Sequence, residues 1–230
     1  MKIGVISSSP DMTEAAMSER RNFLMQSARP DTDIQFFKCH DGPLSIESEA
    51  EREEASVNLV KRMLELEPQG FDAFVPWCAG DPAIVSGRER LRTPIIGPLQ
   101  AACAFANLLG FRFSVLTPMT NPRLVRQRVT AAGFAGTLAS VRLLNIPVLE
   151  LRQDMEKTRS VVIDAIGAIA REDGADAVVM ACMGLFGLAD DLKASVPVID
   201  PARAAIAMAE GVIALGQCHS RIAYPFPKEG

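Results

Sequence analysis

No hydrophobic run in this chain approaches the roughly 20 residues that a helix needs to cross a bilayer. Met1-Lys2 leads straight into Ile3-Gly4-Val5-Ile6-Ser7, too short for a signal-peptide core. A cytoplasmic protein with no membrane partner is expected. Excess positive charge is also missing: 24 Lys and Arg stand against 28 Asp and Glu, a net charge of −4, with no basic stripe interleaved with aromatics. Nucleic acid is therefore not an expected partner, because binding a polyanion rests on clustered cations. Histidine is scarce, and His40 and His219 have no ligand spacing to each other or to a carboxylate pair. No metal is expected. The five cysteines are odd in number and none stands in a C-x-x-C pair, which excludes a zinc ribbon and speaks against a disulfide framework. Neither G-x-G-x-x-G nor G-x-x-x-x-G-K-[ST] occurs, so no nucleotide cofactor has a motif to hold it. What remains, 48% hydrophobic and 23% charged residues over a length of 230, is the composition of an ordinary globular protein of one large or two smaller domains.

A duplicated segment favours two. Gly70-Phe71-Asp72-Ala73-Phe74-Val75-Pro76-Trp77-Cys78-Ala79-Gly80 recurs as Gly174-Ala175-Asp176-Ala177-Val178-Val179-Met180-Ala181-Cys182-Met183-Gly184, with Gly, Asp, Ala, Val, Cys and Gly matched at a constant offset of 104 residues (72 to 176, 78 to 182). Downstream, Thr93-Pro94-Ile95-Ile96-Gly97-Pro98 parallels Val196-Pro197-Val198-Ile199-Asp200-Pro201 after a one-residue slip. Each half reads as strand, cysteine, short helix, strand, helix. The expected fold is two similar parallel-sheet, Rossmann-like α/β domains related by a pseudo-twofold axis, residues 1–97 with 205–230 and residues 98–204, with the active site in the cleft between them.

The pattern around the repeat fits this scheme. Strands are predicted over 2–7, 34–38, 73–77, 94–97, 111–117, 138–144, 177–181 and 197–199, several of them apolar throughout as in a sheet covered on both faces. Helices are predicted over 12–28, opened by a box of Asp11 with Glu14, and over 47–67, 98–109, 121–132, 155–172 and 202–215. Asp81-Pro82 and Asp200-Pro201 read as helix caps followed by Pro in the first turn, so the residues after Cys78 are expected to turn backbone N–H groups toward it. Asp81 is alternatively a residue that supports the site from behind. The tail after Gly216 is expected to cross back over the first domain.

Two cysteines at matching strand ends can flank one carbon of a small-molecule substrate. A thiolate on one face removes the proton beside a carbonyl and a thiol on the other returns one, inverting the stereocentre. An unperturbed thiol is only roughly 3% ionised at pH 7, so one cysteine needs help from N–H groups or a polar neighbour. Cys78 and Cys182 are the expected catalytic pair; Cys39, Cys103 and Cys218 are expected to stay out of the site. Ser7, Ser8 and Thr117, which follow the first strand of each half, are expected to bind substrate and steady an enolate, with ordinary helix capping as the alternative. Ala79, Gly80, Met183 and Gly184, directly after the cysteines, are expected to line the same site. Trp77, Phe186 and Met183 shape a hydrophobic pocket or belong to the core.

These residues are similar to a known superfamily. Cys78-Ala79-Gly80-Asp81-Pro82 resembles the Cys-Phe-Gly-Asp-Pro of the aspartate/glutamate racemase superfamily, and Ala181-Cys182-Met183-Gly184-Leu185-Phe186-Gly187-Leu188 with Val196-Pro197-Val198-Ile199-Asp200-Pro201 extends the resemblance over nearly the whole chain, most closely to hydantoin racemases. The resemblance implies a cofactor-independent isomerase with a two-base mechanism, two α/β domains and assembly as a homo-oligomer. Glutamate racemases follow their cysteines with Asn-Thr and Thr-His, where this chain has Ala79-Gly80 and Met183-Gly184, so the side chains that grip a free amino acid are missing. Hydantoin racemases carry Asn-Pro-Asn in the first loop, where Ser8-Ser9-Pro10 stands here. A 5-substituted hydantoin is the expected substrate, with an amino-acid racemase, a maleate isomerase-like enzyme and a metabolite-binding protein as alternatives.

Overall fold

A computed structural model describes residues 1–227, and at Asp191 the backbone only. The chain divides into two compact units, Met1–Pro98 with Ala205–Gly230, and Leu99–Ala204. Lys228, Glu229 and Gly230, which the sequence reading assigns to the first domain, lie outside the described residues.

In the first unit, β1 (Lys2–Ser7), α1 (Glu14–Met25), β2 (Asp33–Lys38), α2 (Glu49–Leu66), β3 (Ala73–Pro76) and α3 (Ile84–Arg90) follow in order. The strands form a parallel sheet β2-β1-β3, with Ser7 opposite Lys38 and Ile6 opposite Pro76. Central β1 is buried along Ile3–Ser7 because helices cover both faces. Gly4 lets the Phe74 ring pack across β1, since a Cβ there would stand 2.7 Å from it. Helix α2 presents Ala55, Leu59, Val60, Met63 and Leu66 to this core, the spacing of one helical face. A capping box starts it: Ser48 Oγ accepts from Glu51 N–H at 3.3 Å, and Glu51 Oε2 accepts from Ser48 N–H at 2.8 Å.

Two expectations for this unit are corrected. Helix α1 is capped by Thr13, whose Oγ1 accepts from Ala16 N–H at 3.2 Å, and Asp11 lies in the preceding turn. Residues 94–97 form no strand but a single bridge from Ile95 to Phe74. Phe74 N–H donates to Pro94 O at 2.8 Å and Ile96 N–H to Phe74 O at 2.9 Å, while Ile95 N–H turns away from the sheet to His219 Nε2 at 2.7 Å. Proline has no N–H to extend the ladder.

The segment after α7 (Pro201–Ala214) is fastened to these same residues. Arg221 donates to Arg88 O at 2.9 Å and Leu91 O at 2.7 Å, and Cys218 Sγ donates to Arg92 O at 2.7 Å. On α7, buried Glu210 accepts from Thr32 Oγ1 at 2.6 Å and Arg29 N–H at 2.8 Å.

The second unit contains α4 (Pro98–Leu109, whose first residue belongs to the other unit), β4 (Phe113–Thr117), α5 (Pro122–Ala131), β5 (Leu138–Leu143), α6 (Met155–Glu172), β6 (Ala177–Met180) and β7 (Val198–Ile199). Its parallel sheet runs β5-β4-β6-β7, with Leu116 opposite Met180. Asn121 caps α5 by accepting from Arg123 N–H at 3.1 Å, and Asp154 caps α6 by accepting from Lys157 N–H at 3.0 Å.

The repeated aspartates have a structural role. Asp72 Oδ2 accepts from Lys2 N–H at 2.7 Å while its own N–H donates to Lys2 O at 2.8 Å. Asp176 Oδ2 likewise accepts from Arg112 N–H at 3.0 Å and its N–H donates to Arg112 O at 2.8 Å. Each closes the open end of its unit's central strand pair.

Candidate active site

In the first unit β3 ends beside the end of β1, with Trp77 N–H donating to Ile6 O at 2.7 Å. Cys78 N–H then donates back to Pro76 O at 2.8 Å, which bends the chain out of the sheet and leaves the thiol half-buried. Gly80 N–H points at Cys78 Sγ from 3.3 Å, and Asp81 N–H donates to Cys78 O at 3.2 Å. At the end of β1, Ser7 and Ser8 are buried, and Ser7 Oγ accepts from Ser9 N–H at 3.2 Å.

The second unit repeats this wiring. Ala181 N–H donates to Leu116 O at 2.8 Å, Cys182 N–H to Met180 O at 2.8 Å, and Leu185 N–H to Cys182 O at 3.1 Å. Gly184 N–H points at Cys182 Sγ from 3.3 Å. At the end of β4, Thr117 is fully buried and its Oγ1 accepts from Met119 N–H at 3.2 Å. So within one unit the structure brings Ser7, Ser8, Ala79 and Gly80 to the strand ends around Cys78. Within the other it brings Thr117, Met183 and Gly184 to the strand ends around Cys182.

Asp81 is not a helix cap, contrary to expectation. Its φ is 50° and that of Ala83 is 66°, two left-handed non-glycine residues in a row of three, and α3 begins only at Ile84. The amide that reaches Cys78 comes from Gly80 instead. Strain of order 1 kcal/mol at each such residue is held by the surroundings: Ala83 N–H donates to Ser56 Oγ on α2 at 2.9 Å, and the Asp81 carboxylate sits at Gly97, where a Cβ would stand 2.5 Å from Oδ2. In the second unit the carboxylate comes from the other side. Asp200, aligned with Gly97 in the repeat, accepts from Ala202 N–H at 2.8 Å as a cap of α7 and from Gly187 N–H at 2.8 Å in the loop after Cys182. Burial pushes its carboxyl above the ordinary range, against the pull of those N–H groups.

The other thiols lie in different surroundings. Burial pushes Cys39 up to about 12, Cys103 is fully enclosed on α4, and Cys218 is exposed in the tail. Trp77 and Phe186 pack as core residues: Trp77 meets the Phe36 ring edge-on with centroids 5.3 Å apart, and Phe186 lies under the Arg152 guanidinium at 4.1 Å. Among the described residues no group of three His, Cys, Asp or Glu side chains is arranged to hold a metal ion, and no helix is long and apolar enough to cross a membrane. Sequence reasoning missed Ser56, because a helix this rich in charge reads as a solvated face. It also missed the reach of Asp200 to Gly187.

This chain of two parallel-sheet α/β units belongs to a family of racemases. The model of the Asp/Glu/Hydantoin racemase family matches residues 3–209. A hydantoin racemase from Rhizobium meliloti is 34% identical over 194 residues, 82% of this chain and 80% of that protein. Another from Pseudomonas sp. (strain NS671) is 30% identical over 233 residues, 100% of this chain and 93% of that protein. Among solved structures, an allantoin racemase from Pseudomonas fluorescens superposes with a TM-score of 0.94 at 28% identity, covering 100% of this chain and 98% of that one. An aspartate racemase from Picrophilus torridus shares the fold alone, with a TM-score of 0.65 at 15% identity over 96% of this chain and 97% of that one. The protein is a racemase.

Proposed function

We propose that Cys78 and Cys182 form the acid/base pair of a racemase without a cofactor, acting on opposite faces of C5 in a 5-substituted hydantoin. The observation that carries this reading is the matched wiring: each thiol receives a glycine N–H from two residues on at 3.3 Å. An N–H donor at sulfur favours the thiolate, the form that abstracts a proton. In a hydantoin the C5–H lies beside the C4 carbonyl, so deprotonation gives an enolate that hydroxyl and amide donors can stabilise. Ser7 and Thr117 suit that task, because a hydroxyl that accepts one N–H still has its own proton to donate.

The ring is uncharged, and the residues that follow each cysteine, Ala79-Gly80 and Met183-Gly184, carry no charge to grip an amino acid. Allantoin is itself a hydantoin with a ureido group at C5, so the names of the curated and structural relatives converge on one substrate class.

The test is deuterium incorporation, followed by NMR in D2O, for 5-substituted hydantoins, aspartate, glutamate and maleate. Wild type is expected to exchange and racemise a hydantoin, and Cys78→Ser and Cys182→Ser each to lower racemisation by about 10²–10⁴-fold. Racemisation undiminished in either variant overturns the two-thiol mechanism. Exchange of aspartate or glutamate with no hydantoin turned over overturns the substrate.

A further inference from the structure

The loop that carries Cys182 is gripped by the segment that leads into α6. Between β5 and α6 the chain makes one 3₁₀ turn at Val148–Glu150, with Glu150 N–H donating to Pro147 O at 3.0 Å and Gln153 N–H to Glu150 O at 3.0 Å. The two residues that follow this turn meet the Cys182 loop at neighbouring points. Leu151, fully buried, lies against Gly184: a Cβ on that glycine would stand 3.1 Å from Leu151 Cδ1 and 3.5 Å from Cys182 Sγ, so leucine and thiol share one side of it. Arg152 covers the Phe186 ring, its guanidinium 4.1 Å from the centroid. Leu151, Leu185 and Cys182 belong to one apolar cluster, which Ile146 and Val148 from the same segment extend.

The segment is itself held from α6. Thr158, buried in the first turn of that helix, donates from Oγ1 to Leu151 O at 2.8 Å and from its N–H to Asp154 O at 3.0 Å. Asp154 is the cap of α6, so the hydroxyl ties Leu151 to a helix start that is already fixed. In the first unit the path is shorter: Ser56 on α2 accepts from Ala83 N–H at 2.9 Å in the loop after Cys78. In both units the long helix before the cysteine strand supports the loop after it, directly in one and through Leu151 in the other.

We propose that Thr158 and Leu151 are positioning residues that hold the Gly184 N–H on the Cys182 sulfur. This rests on the two-thiol reading above and adds what supports one of the thiols. The amide stands 3.3 Å from Sγ, and it belongs to a single 3₁₀ turn, Met183–Leu185, that has little structure of its own. With Leu151 filling the space beside Gly184, the peptide has no room to swing away from the sulfur on that side. An amide donor favours the thiolate, whereas enclosure by Leu151, Leu185 and Leu188 disfavours it. The two effects are opposite in sign, so the direction of a change tells them apart. Thr158 and Leu151 act only through the Gly184 amide and exchange no proton with substrate.

Native protein is alkylated briefly with iodoacetamide across a pH series, and the peptides carrying Cys78 and Cys182 are quantified separately by mass spectrometry, beside racemisation of a 5-substituted hydantoin. For each thiol the midpoint of the profile reports ionisation and the plateau reports access. Thr158→Val keeps the shape of the side chain and removes its donor; Leu151→Val withdraws Cδ1 from Gly184. Neither changes a charge. Each is expected to move the Cys182 midpoint to higher pH, lowering its reaction relative to the plateau by about twofold to fivefold on the acid side. Each is also expected to leave the Cys78 profile fixed and to lower racemisation by about threefold to tenfold. Thr158→Ser, which retains the hydroxyl, is expected to match wild type. Leu151→Val tests the contact even where Thr158→Val fails to fold. The proposal is overturned if neither variant moves the Cys182 midpoint, or if the midpoint falls, because the segment then acts by enclosure alone. An equal shift of Cys78, the mark of general loosening, overturns it too. A raised Cys182 midpoint with no hydantoin racemised by wild type would sink the substrate reading. The same shift with racemisation undiminished would sink the two-thiol mechanism, and either result leaves this assignment standing.

Discussion

A methyl group at position 184 would lie 3.5 Å from Cys182 Sγ and 3.1 Å from Leu151 Cδ1. The glycine therefore does two things: it donates its N–H to the thiol and it leaves the space beside it clear. Gly184→Ala is expected to cost about 1 kcal/mol of stability or less, because Leu151 can shift slightly. It is expected to lower kcat/KM by about tenfold, because the thiol is displaced from its amide. Thermal melting together with initial rates separates the two effects, and an unchanged kcat/KM would show that the space is not used. The two cysteines were legible because a repeat marks both at once. Ser56 was not, since nothing in its local pattern, on a helix that also carries Glu49, Glu51, Glu53 and Glu54, distinguishes it from a solvent-facing hydroxyl. Only the fold brings it to the loop after Cys78, where it accepts from Ala83 N–H.

Among the elements, the halves differ most where each loop meets the next helix. In one, Asp81 reaches from the cysteine loop to Gly97; in the other, Asp200 reaches from the start of α7 back to Gly187. Both put a carboxylate at the same joint, from opposite sides. Gly97→Ala is expected to destabilise the protein by about 1–3 kcal/mol, since the new Cβ and the Asp81 carboxylate claim the same space. The pair Asp81→Gly with Gly97→Asp copies the second unit's arrangement and relieves the left-handed strain at 81. Its cost, measured by denaturant unfolding, is expected to be smaller than the sum of the single costs. Strict additivity would show that the two residues do not share one space.

Sequence reading found the strands and helices of both units largely through apolar runs and caps, and 155–172 coincides with α6. It misplaced the start of α3 because Asp-Pro imitates a cap. The left-handed turn at Asp81 and Ala83 is imposed by contacts with Ser56 and Gly97 that are distant in sequence. It took 94–97 for a strand because the β-branched pair Ile95-Ile96 fits one. The missing ladder follows from Pro94 and from the claim of His219 on Ile95 N–H, 124 residues away.

At the scale of the whole chain, the first unit is built from both ends of the sequence, and the tail's hold on it depends on a neutral imidazole. Burial, with Arg88 and Arg221 nearby, lowers His219 from 6.5 to about 4, and its Nε2 accepts the Ile95 N–H only when unprotonated. Because the folded value is the lower one, the unfolded chain binds the proton first as pH falls. The stabilisation is complete above about 6.5 and is lost progressively between 6.5 and about 4. Melting temperature is expected to fall through that window. His219→Gln is expected to melt lower at neutral pH and to flatten this part of the curve; an equally steep curve would assign the acid sensitivity to other groups.

The same tail complicates any covalent probe of the enzyme. Cys218 is exposed and its thiol is bonded to Arg92 O, beside the residues that His219 and Arg221 hold. A maleimide or mercurial is expected to reach this exposed residue, and its adduct to break the bond to Arg92 O. Activity lost to such a reagent, or an apparent titration of one thiol per chain, therefore reports on Cys218 as well as on Cys78. Inhibitor screens against this protein call for a Cys218→Ser background.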